Sequence, residues 1–473
     1  MKTYLAIDFG GGSGRVIAGT ISDGMVELEE IHRFTNRQIK AGKHVYWDFL
    51  SLFEEMKTGL RIAAQKGYDV NGIGIDTWGV DYGLIDKAGN LIGNPVCYRD
   101  SRTDGMPEDV FRLIDKSEHY SETGIQVMSI NTLFQLYSQV KASDPQIQIA
   151  DKLLFMPDLF SYYLTGVANN EYCIASTSEL LNARKKTWAT DLIDKLGLPQ
   201  QLFGDIIQPG TIRGKLKKEI SAETGLAEVD VIAVGSHDTA SAIIAIPTLE
   251  KDSAFLSSGT WSLLGAEVDE PILTKEAEKN GFTNEGGVGE KVRFLQNITG
   301  LWILQRLMNE WSAKGESVNY DQIIEEAKQV KPQTIIFVDD SCFQNPDNME
   351  KAIQDYCERN NKKKPITRGE VVRCVLESLA YRYKQGIDCL NQCLEQPVKQ
   401  LNIIGGGCRN KLLNQLTANY LGIPVYAGPV EATAMGNILV QAWAKKEIAS
   451  LDELKEIVIK SVQPQVYYPE LNK

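Results

Sequence analysis

The sequence predicts a two-domain α/β protein whose halves repeat one strand arrangement, and three observations support this prediction. A chain of 473 residues exceeds the size at which a single hydrophobic core usually stops growing. Apolar, β-rich runs alternate with segments of helical periodicity, as in α/β folds. The strand–turn–strand pattern that opens the chain also returns after its middle. We therefore expect a duplicated fold with a ligand cleft between its halves.

The first half begins with two apolar runs, 4–8 and 15–20, on either side of a glycine-rich stretch at 10–14. This pattern predicts a β-hairpin with a glycine-rich turn. Residues 49–66 have helical spacing, and residues 72–76 read as another strand that ends in a turn at Thr77-Trp78-Gly79. Strand, hairpin, helix and strand in this order indicate an α/β layout.

The first half ends in a β-rich run, 229–235, which leads into His237-Asp238-Thr239 and a helix of small residues at 240–246. Pro247 cannot continue that helix, so the segment 247–253 is the predicted domain boundary. The predicted domains are therefore 1–246 and 247–473.

The second half repeats the opening pattern at 254–266, with Ser257-Ser258-Gly259-Thr260 as its turn. A long helical pattern covers 370–395, and a strand at 401–404 runs into Gly405-Gly406-Gly407. Further helices are predicted at 410–420 and from the segment 429–437. Two equivalent turns, one in each half, are what a duplicated fold around one ligand requires.

Composition restricts the partners and the compartment. The formal net charge is −12, which disfavours nucleic acid and anionic membranes as partners. Neither a signal peptide nor a membrane-spanning run is recognisable, so we expect a cytoplasmic protein, a monomer or weak homo-oligomer. The eight cysteines show no CxxC spacing, and free thiols are expected, with a Cys357–Cys374 bridge left open.

The turn at 10–14 is a candidate phosphate site. Glycine-rich backbone lets N–H groups approach an anion without a Cβ in the way, and Gly11, Gly12, Ser13 and Gly14 provide such backbone. Arg15 adds a charged donor. The sequence matches neither GxxxxGK[ST] nor a GxGxxG that opens a helix, which excludes a P-loop and disfavours a Rossmann site. An ordinary hairpin that needs positive φ angles remains an equal alternative.

Three further features point to nucleotide and metal. The turn at 257–260 could bind the same polyphosphate, and Gly405-Gly406-Gly407 predicts the close approach of an adenine ring, with simple packing as the alternative. Asp8 ends the first strand directly before the phosphate turn. It is placed to bind Mg²⁺ through water, or alternatively to cap the turn.

Asp238 is the candidate general base. It follows an apolar strand, so its carboxylate should emerge where open α/β sheets bind ligands. Phosphoryl transfer to an alcohol needs positioning, charge neutralisation and a group that accepts the hydroxyl proton. Taken alone, the position also fits an N-cap of the following helix. His237 beside it would on its own be read as structural.

Five segments in order resemble the FGGY carbohydrate kinases: IDTWGVD at 75–81, YRDSRT at 98–103, HDTASA at 237–242, SSGTWS at 257–262 and NITGLW at 297–302. The resemblance covers nearly the whole chain. It implies the duplicated actin/hexokinase/Hsp70-like ATPase fold, which is ribonuclease H-like, with the active site in the interdomain cleft. It also implies ATP and Mg²⁺ as cofactors. The segments are most typical of the branch that phosphorylates the 1-hydroxyl of L-rhamnulose in L-rhamnose catabolism.

The resemblance also implies that 1–246 binds sugar and phosphate and that 247–473 binds the nucleotide, and it assigns roles to individual residues. Asp238 would be the general base, and the expected sugar contacts are Gly79, His237, Asp238, Thr239 and Asn297. The expected ATP contacts are Gly11, Gly12, Ser13, Gly14, Arg15, Thr260, Gln305 and Gly406. Gly11-Gly12 departs from the family, which tends towards Ala or Ser there, and this should loosen the turn without removing its N–H donors.

Two other functions stay open at this point. One is a kinase of the same fold that acts on L-fuculose, ribulose, xylulose or glycerol. The other is a non-catalytic sugar sensor or an actin-like or chaperone ATPase, which would keep the nucleotide turns but lack a carboxylate directed at a sugar.

Overall fold

A computed structural model describes residues 2–247, 250–331 and 334–470, which form two compact units. Unit 1 consists of 2–247, 267–294 and 432–461, and unit 2 takes the rest of the described chain. The segment 247–253, predicted as the boundary, includes residues 248 and 249, which lie outside the described residues. The domain ranges 1–246 and 247–473 stay a prediction.

Unit 1 is built on a six-stranded sheet. Its strands are β1 (Lys2–Phe9), β2 (Ser13–Ser22), β3 (Met25–Thr35), β4 (Asp69–Thr77), β5 (Ile212–Lys215) and β6 (Asp230–Ile232). They follow the order β5-β6-β4-β1-β2-β3, with β1, β4 and β6 parallel and β2 antiparallel to both β1 and β3. β1 is buried from Thr3 to Phe9, which explains its nearly continuous apolar run.

Unit 2 repeats this strand order. Its strands are β7 (Ser253–Ser258), β8 (Trp261–Val268), β9 (Val292–Thr299), β10 (Gln400–Ile404), β11 (Val425–Ala427) and β12 (Gln465–Tyr467). With the short strand Thr283–Gly286 at the edge next to β9 they form a seven-stranded sheet, in which the six follow the order β9-β8-β7-β10-β11-β12, with β7 antiparallel to β8 and parallel to β10. A first strand with its hairpin partner on one side and a parallel strand on the other therefore occurs in both units, which is the expected duplication.

Six helices bear on the sites described below. They are α1 (Phe49–Gln65), α2 (Asp238–Ile244), α3 (Trp302–Ala313), α4 (Arg368–Cys393), α5 (Lys411–Leu421) and α6 (Ala432–Ala444). The other α-helices are Met106–Val110, Lys116–Thr123, Thr132–Lys141, Pro145–Ile149, Met156–Thr165, Tyr172–Ala175, Thr190–Lys195, Lys218–Thr224, Lys275–Lys279, Tyr320–Lys328, Met349–Arg359 and Leu451–Ser461. The short strands are Gln38–Ala41, His44–Trp47, Tyr82–Ile85, Lys152–Phe155, Asn170–Glu171, Leu181–Asn182, Thr187–Trp188, Ile206–Ile207 and Thr283–Gly286.

Local sequence explains where the helices begin and which face they bury. Asp48 caps α1 by accepting a hydrogen bond from the Ser51 N–H, and Leu52, Met56 and Leu60 recur every fourth residue on its buried face. α4 begins with a capping box between Thr367 and Glu370, which satisfies two N–H groups at the helix start.

The chain-wide expectations about cysteines and membranes can also be compared with the structure. The eight cysteines all lie in the described chain and are free thiols, so Cys357 and Cys374 form no bridge. Within the described ranges, no helix combines the length and the apolar character that crossing a membrane requires.

Candidate active site

The first hairpin turn presents backbone N–H groups to solvent. Gly10 N–H donates to the Ser13 carbonyl at 2.9 Å, while Gly11, Gly12 and Ser13 are exposed. Asn36 clamps the turn from the end of β3, because its N–H donates to the Gly12 carbonyl at 3.1 Å and its Nδ2 to the Gly10 carbonyl at 2.9 Å. The turn is therefore held at the carbonyls of Gly10, Gly12 and Ser13, while the residues Gly11 to Ser13 are exposed to solvent.

Backbone strain does not explain the glycines of this turn. None of the described residues 10–14 has φ in the left-handed region, so the positive-φ interpretation of the hairpin is wrong. A Cβ added at Gly11 or Gly12 would meet no described atom within 4 Å. What these two glycines provide is open space above the N–H groups, which an anion can enter.

Asp8 pairs with Arg15 across the hairpin. Arg15 Nη2 lies 2.5 Å from Asp8 Oδ2, and the two residues are register partners on β1 and β2. Arg15 thus neutralises a carboxylate at the base of the turn, and it remains close to the exposed N–H groups as a source of positive charge.

Two carboxylates lie at the ends of neighbouring parallel strands, and a third follows an isolated bridge beside them. Asp8 on β1 is the register partner of Asp76 on β4, and Thr77 forms the next parallel bridge with His237, directly before Asp238. Because the carboxyl ends of parallel strands meet at one edge of a sheet, the fold collects these acids at the place where open α/β sheets bind ligands. Asp76 had been given no role from the sequence, although it ends an apolar strand just as Asp8 does.

Asp76 is fully buried, and its surroundings disfavour a third negative charge. Burial, followed by the charge of Asp8, raises its pKa well above the ordinary value, although a hydrogen bond from Asn437 opposes the shift. Asn437 Nδ2 donates to Asp76 Oδ2 at 2.5 Å from α6. Burial and the neighbouring charge of Asp8 thus distinguish Asp76 from Asp238, whose carboxylate is partly exposed.

Asp238 is free of the capping role that its local sequence allowed. α2 begins at Asp238, its N-cap is His237, and no side chain caps it. The Asp238 side chain is 35% exposed, and its Oδ1 accepts a hydrogen bond from Thr239 Oγ1 at 3.0 Å. The N-cap interpretation is therefore wrong, and the carboxylate is available to a ligand.

The backbone before Asp238 is fixed by buried groups. Ser236 N–H donates to Glu171 Oε2 at 3.2 Å, and Thr77 N–H donates to the Ser236 carbonyl at 2.9 Å. Behind α2, the missing side chain of Gly436 allows α6 to approach, since a Cβ there would lie 1.8 Å from the Ser241 carbonyl oxygen. These contacts hold Asp238 on rigid secondary structure.

His237 lies between the base and a buried ion pair. Its Nε2 is 3.5 Å from Asp238 Oδ1, while its Nδ1 is 3.2 Å from both Glu285 Oε2 and Arg293 Nη1. Burial raises the pKa of Glu285, but the charge of Arg293 and the contact with His237 outweigh that effect and lower it below the ordinary value. Sequence reasoning missed both Glu285 and Arg293, since nothing next to them in the chain indicates this contact.

Gly79 is followed by a strained residue. Val80 has φ +67°, which is rare for a β-branched side chain and costs about 1–3 kcal/mol. Neighbours hold it there, because Val80 N–H donates to Thr177 Oγ1 at 3.2 Å and Thr132 Oγ1 donates to the Val80 carbonyl at 2.6 Å. Next in the chain, buried Asp81 accepts hydrogen bonds from two indoles. Gly79 therefore lies in a loop of fixed geometry beside His237.

In unit 2, the turn between β7 and β8 is clamped by backbone. Gly300 N–H and Trp302 N–H each donate to the Thr260 carbonyl at 3.2 Å, and Leu301 N–H donates to the Gly259 carbonyl at 2.9 Å. The Thr260 hydroxyl donates to Gln305 Oε1 at 3.2 Å, which links two of the predicted ATP contacts. The clamp comes from the start of α3.

The glycine triplet has more than one physical reason. Gly405 has φ +82°, and a Cβ on Gly407 would lie 1.9 Å from Ser258 Oγ, so two of the glycines are required by conformation and packing at the base of the second turn. Only Gly406 is exposed and has open space where a Cβ would be. Of the three glycines, only Gly406 is therefore left as a candidate for contact with a flat ligand.

The predicted residues fall into two groups by unit. Unit 1 holds Asp8, the turn from Gly11 to Arg15, Gly79 and His237-Asp238-Thr239. Unit 2 holds Thr260, Gln305 and Gly406, together with half-buried Asn297 on β9.

The donor set of unit 1 fits Mg²⁺ rather than a metal held by protein alone. Among residues 2–247, 250–331 and 334–470, no three His, Cys, Asp or Glu side chains form a metal site. Mg²⁺ keeps several waters and takes one or two carboxylates plus phosphate oxygens. Asp8, next to a turn of open N–H groups, is compatible with that coordination.

The comparisons with known proteins agree with this geometry. Residues 3–245 match the N-terminal domain of the FGGY family of carbohydrate kinases, and residues 254–445 match its C-terminal domain. Together the two matches cover most of the chain.

Two relatives extend the likeness over the full length. The chain is 45% identical over 470 residues to a rhamnulokinase from Bacteroides thetaiotaomicron, which covers 99% of this chain and 96% of that protein. It is 39% identical over 468 residues to a rhamnulokinase from Bacillus subtilis, with 99% and 95% covered.

Solved structures support the fold alone. A ligand-bound xylulose kinase from Lactobacillus acidophilus superposes with a TM-score of 0.81 at 15% identity over 99% of this chain and 94% of that one. Glycerol kinase with ADP from Plasmodium falciparum gives a TM-score of 0.79 at 16% identity, with 100% and 95% covered.

Proposed function

The chain belongs to the FGGY family of carbohydrate kinases, and from this premise we propose that it phosphorylates L-rhamnulose. ATP would donate its γ-phosphoryl group to the 1-hydroxyl, and L-rhamnulose 1-phosphate would form as a step of L-rhamnose catabolism. The support for this substrate is the identity of 38–45% to proteins named rhamnulokinase, over nearly the whole chain.

Asp238 would act as the general base, and its geometry is the observation that carries the proposal. Its carboxylate lies at the carboxyl edge of the unit 1 sheet, is partly exposed and caps no helix. In the proposed step, the sugar oxygen attacks the γ-phosphorus, the bond from that phosphorus to the bridging oxygen of ADP breaks, and the hydroxyl proton moves to Asp238.

The sugar would be oriented by residues around this base. His237 and Gly79 come from rigid segments on either side of the Thr77–His237 bridge, and Thr239 donates to Asp238. Asn297 on β9 completes the proposed set of sugar contacts. Orientation of this kind lowers the barrier because the hydroxyl is already placed for in-line attack.

ATP would be held by local donors, because the protein as a whole is acidic. The exposed backbone of Gly11, Gly12 and Ser13, with Gly14 and Arg15 next to it, suits the phosphates. Thr260, Gln305 and Gly406 in unit 2 would bind the rest of the nucleotide. Bound near Asp8, Mg²⁺ would supply neutralisation of phosphate charge.

The test of Asp238 is its replacement by Ala and by Asn. We expect phosphoryl transfer to L-rhamnulose to fall by at least about 10² in kcat for both, since each removes the proton acceptor. ATP binding, measured by calorimetry, should persist, which separates a lost base from a lost fold. Transfer at the normal rate in Asp238→Asn would remove Asp238 from the mechanism.

The substrate is tested with a panel of acceptors. In an assay of ADP release, kcat/KM should be higher for L-rhamnulose than for L-fuculose, ribulose, xylulose or glycerol. An acceptor that exceeds L-rhamnulose more than about tenfold in kcat/KM would overturn the substrate assignment while leaving the kinase assignment intact.

A cytoplasmic location is part of the same proposal. It is supported by eight cysteines without a disulfide, five of them buried, since free thiols are the usual state of cysteine in a reducing compartment.

A further inference from the structure

Two charged side chains that no motif indicated meet the ring of His237. Arg293 lies on β9 and Glu285 on the short strand Thr283–Gly286, both in the segment 267–294 that the chain returns to unit 1. Arg293 Nη1 is 3.1 Å from Glu285 Oε2 and 3.2 Å from His237 Nδ1. A segment from the second half of the chain thus supplies an ion pair to the sugar side of unit 1.

Burial makes this arrangement costly unless it is compensated. Arg293 is 0% exposed and Glu285 is 5% exposed, so both charges are removed from water. Their mutual contact offsets part of that cost, and Arg293 Nε also donates to the Gly286 carbonyl at 2.7 Å. The described residues still leave Arg293 Nη2 and Glu285 Oε2 without a hydrogen-bond partner of good geometry. A buried ion pair with unsatisfied polar atoms contributes little to the free energy of folding, so stability alone does not explain this pair.

The contact with Arg293 defines which ring nitrogen carries the proton. Arginine stays protonated in proteins and only donates hydrogen bonds. Its N–H is aimed at His237 Nδ1, which must therefore accept, whereas the nearby Glu285 oxygen lies outside hydrogen-bonding geometry. In the neutral ring the proton is then on Nε2, the nitrogen that lies 3.5 Å from Asp238 Oδ1.

We infer that Arg293, with Glu285 as its counterion, is a positioning residue that fixes His237 with Nε2–H directed towards Asp238 and the sugar. The inference rests on the proposed function for the identity of the sugar, but the state of the ring can be measured without it. Arg293 and Glu285 touch no reacting atom; they act through His237. A Nε2–H donor would bind a sugar oxygen, which leaves the sugar's own hydroxyl proton for Asp238.

The kinetic test removes both charges together, because a single change would leave the other ion buried without a partner. In the double variant Glu285→Gln with Arg293→Met, we expect KM for L-rhamnulose to rise about tenfold or more, with KM for ATP unchanged. The matched control is Glu377→Gln with Arg373→Met, which removes a pair of 2.6 Å separation on α4. Equal sugar KM values in the double variant, the control and the parent protein would overturn the inference.

The second test reads the ring itself. The chain has four histidines, so imidazole ¹⁵N spectra of the full-length protein can be assigned with His237→Asn. We expect neutral His237 to show a protonated Nε2 in the parent protein and in the control, and to lose that preference in the Glu285/Arg293 variant. A protonated Nδ1 in the parent protein would contradict the inference.

The two tests also separate this inference from the proposed function. If the parent protein fails to phosphorylate L-rhamnulose, the substrate assignment fails, and the ¹⁵N spectra still decide the role of Arg293. If L-rhamnulose is the substrate and the spectra show Nδ1–H, the function stands and the inference fails.

Discussion

The two hairpin turns occupy the same place in the repeated sheet, but different groups clamp them. In each unit the clamp comes from the residues that follow the third strand of the repeat. Unit 1 uses Asn36, whose side-chain amide and backbone N–H both donate to turn carbonyls. Unit 2 uses three successive backbone N–H groups, from Gly300 to Trp302.

The difference shows what a duplicated fold retains. The position of the clamp is set by topology, whereas the atoms that provide it are free to differ. In unit 1 the Asn36 side chain reaches part of the turn from a distance. In unit 2 the clamp is made by backbone alone, which requires the two segments to be in contact. This explains why the halves correspond in pattern but not in residues. It also predicts that an added methyl group changes the free energy of unfolding in opposite directions at the two turns.

The largest effect is expected at Gly300. A Cβ there would lie 2.6 Å from the Trp261 carbonyl carbon and 2.8 Å from the carbonyl oxygens of Gly259 and Thr260, all of them backbone atoms. Gly300→Ala should lower the free energy of unfolding by about 1–3 kcal/mol or more, because backbone cannot rotate out of the way. Urea denaturation measures the loss, and KM for ATP should rise because Thr260 is displaced.

Gly406→Ala is the stability control for this change. Its added methyl would meet no described atom within 4 Å, so the unfolding midpoint should stay near that of the parent protein. A Gly300→Ala protein as stable as Gly406→Ala would mean that the second turn is not clamped by backbone contact.

A smaller effect is expected at Asn36. Asn36→Ala removes the 2.9 Å hydrogen bond to the Gly10 carbonyl and should cost about 0.5–1.5 kcal/mol, with a weaker affinity for ATP. Asn36→Asp sharpens the comparison, since it keeps the shape but replaces the donor by an acceptor that faces a carbonyl. We expect Asn36→Asp to have the lower free energy of unfolding and the higher KM for ATP of the two variants. The reverse order would show that the Asn36 side chain does not hold the turn.

The smallest effect should have the opposite sign. Gly11→Ala places a methyl group in open space at a residue outside the left-handed region. It should raise the free energy of unfolding by about 0.4–1 kcal/mol, because the unfolded chain loses freedom that the turn does not use. KM for ATP should rise, since the methyl group enters the open space beside the N–H groups that the phosphates would use. Destabilisation here would show that the turn is as tightly packed as its counterpart.

The sequence predicted the regular elements well because their signals are local. The hairpins, α1, α4 and the strand before the glycine triplet all follow from apolar periodicity and turn residues. The placement of Asp238 at the edge of the sheet followed from the same reasoning. The absence of a capping role could not be predicted, because Asp is a preferred N-cap residue. Only the backbone geometry shows that the N-cap is His237.

Contacts between distant segments were beyond local reasoning. Arg293 is 56 residues from His237, and Asn437 is 361 residues from Asp76. Arg293 stands in an apolar strand with no neighbouring signal. Asp76 could have been found, since it lies at the end of a strand next to that of Asp8, but its raised pKa depends on burial that only the fold reveals.

The order in which the chain is synthesised has a consequence for unit 1. Its sheet is complete once residue 232 has been made, yet the partner of Asp76 arrives with Asn437, and Gln441 Nε2 then donates to the Leu5 carbonyl at 3.0 Å. A nascent chain that stops at Pro247 therefore has an open flank where α6 will pack. The unit that begins first on the ribosome is among the last to close, so shortening the C-terminus should impair the fold of the N-terminal strands.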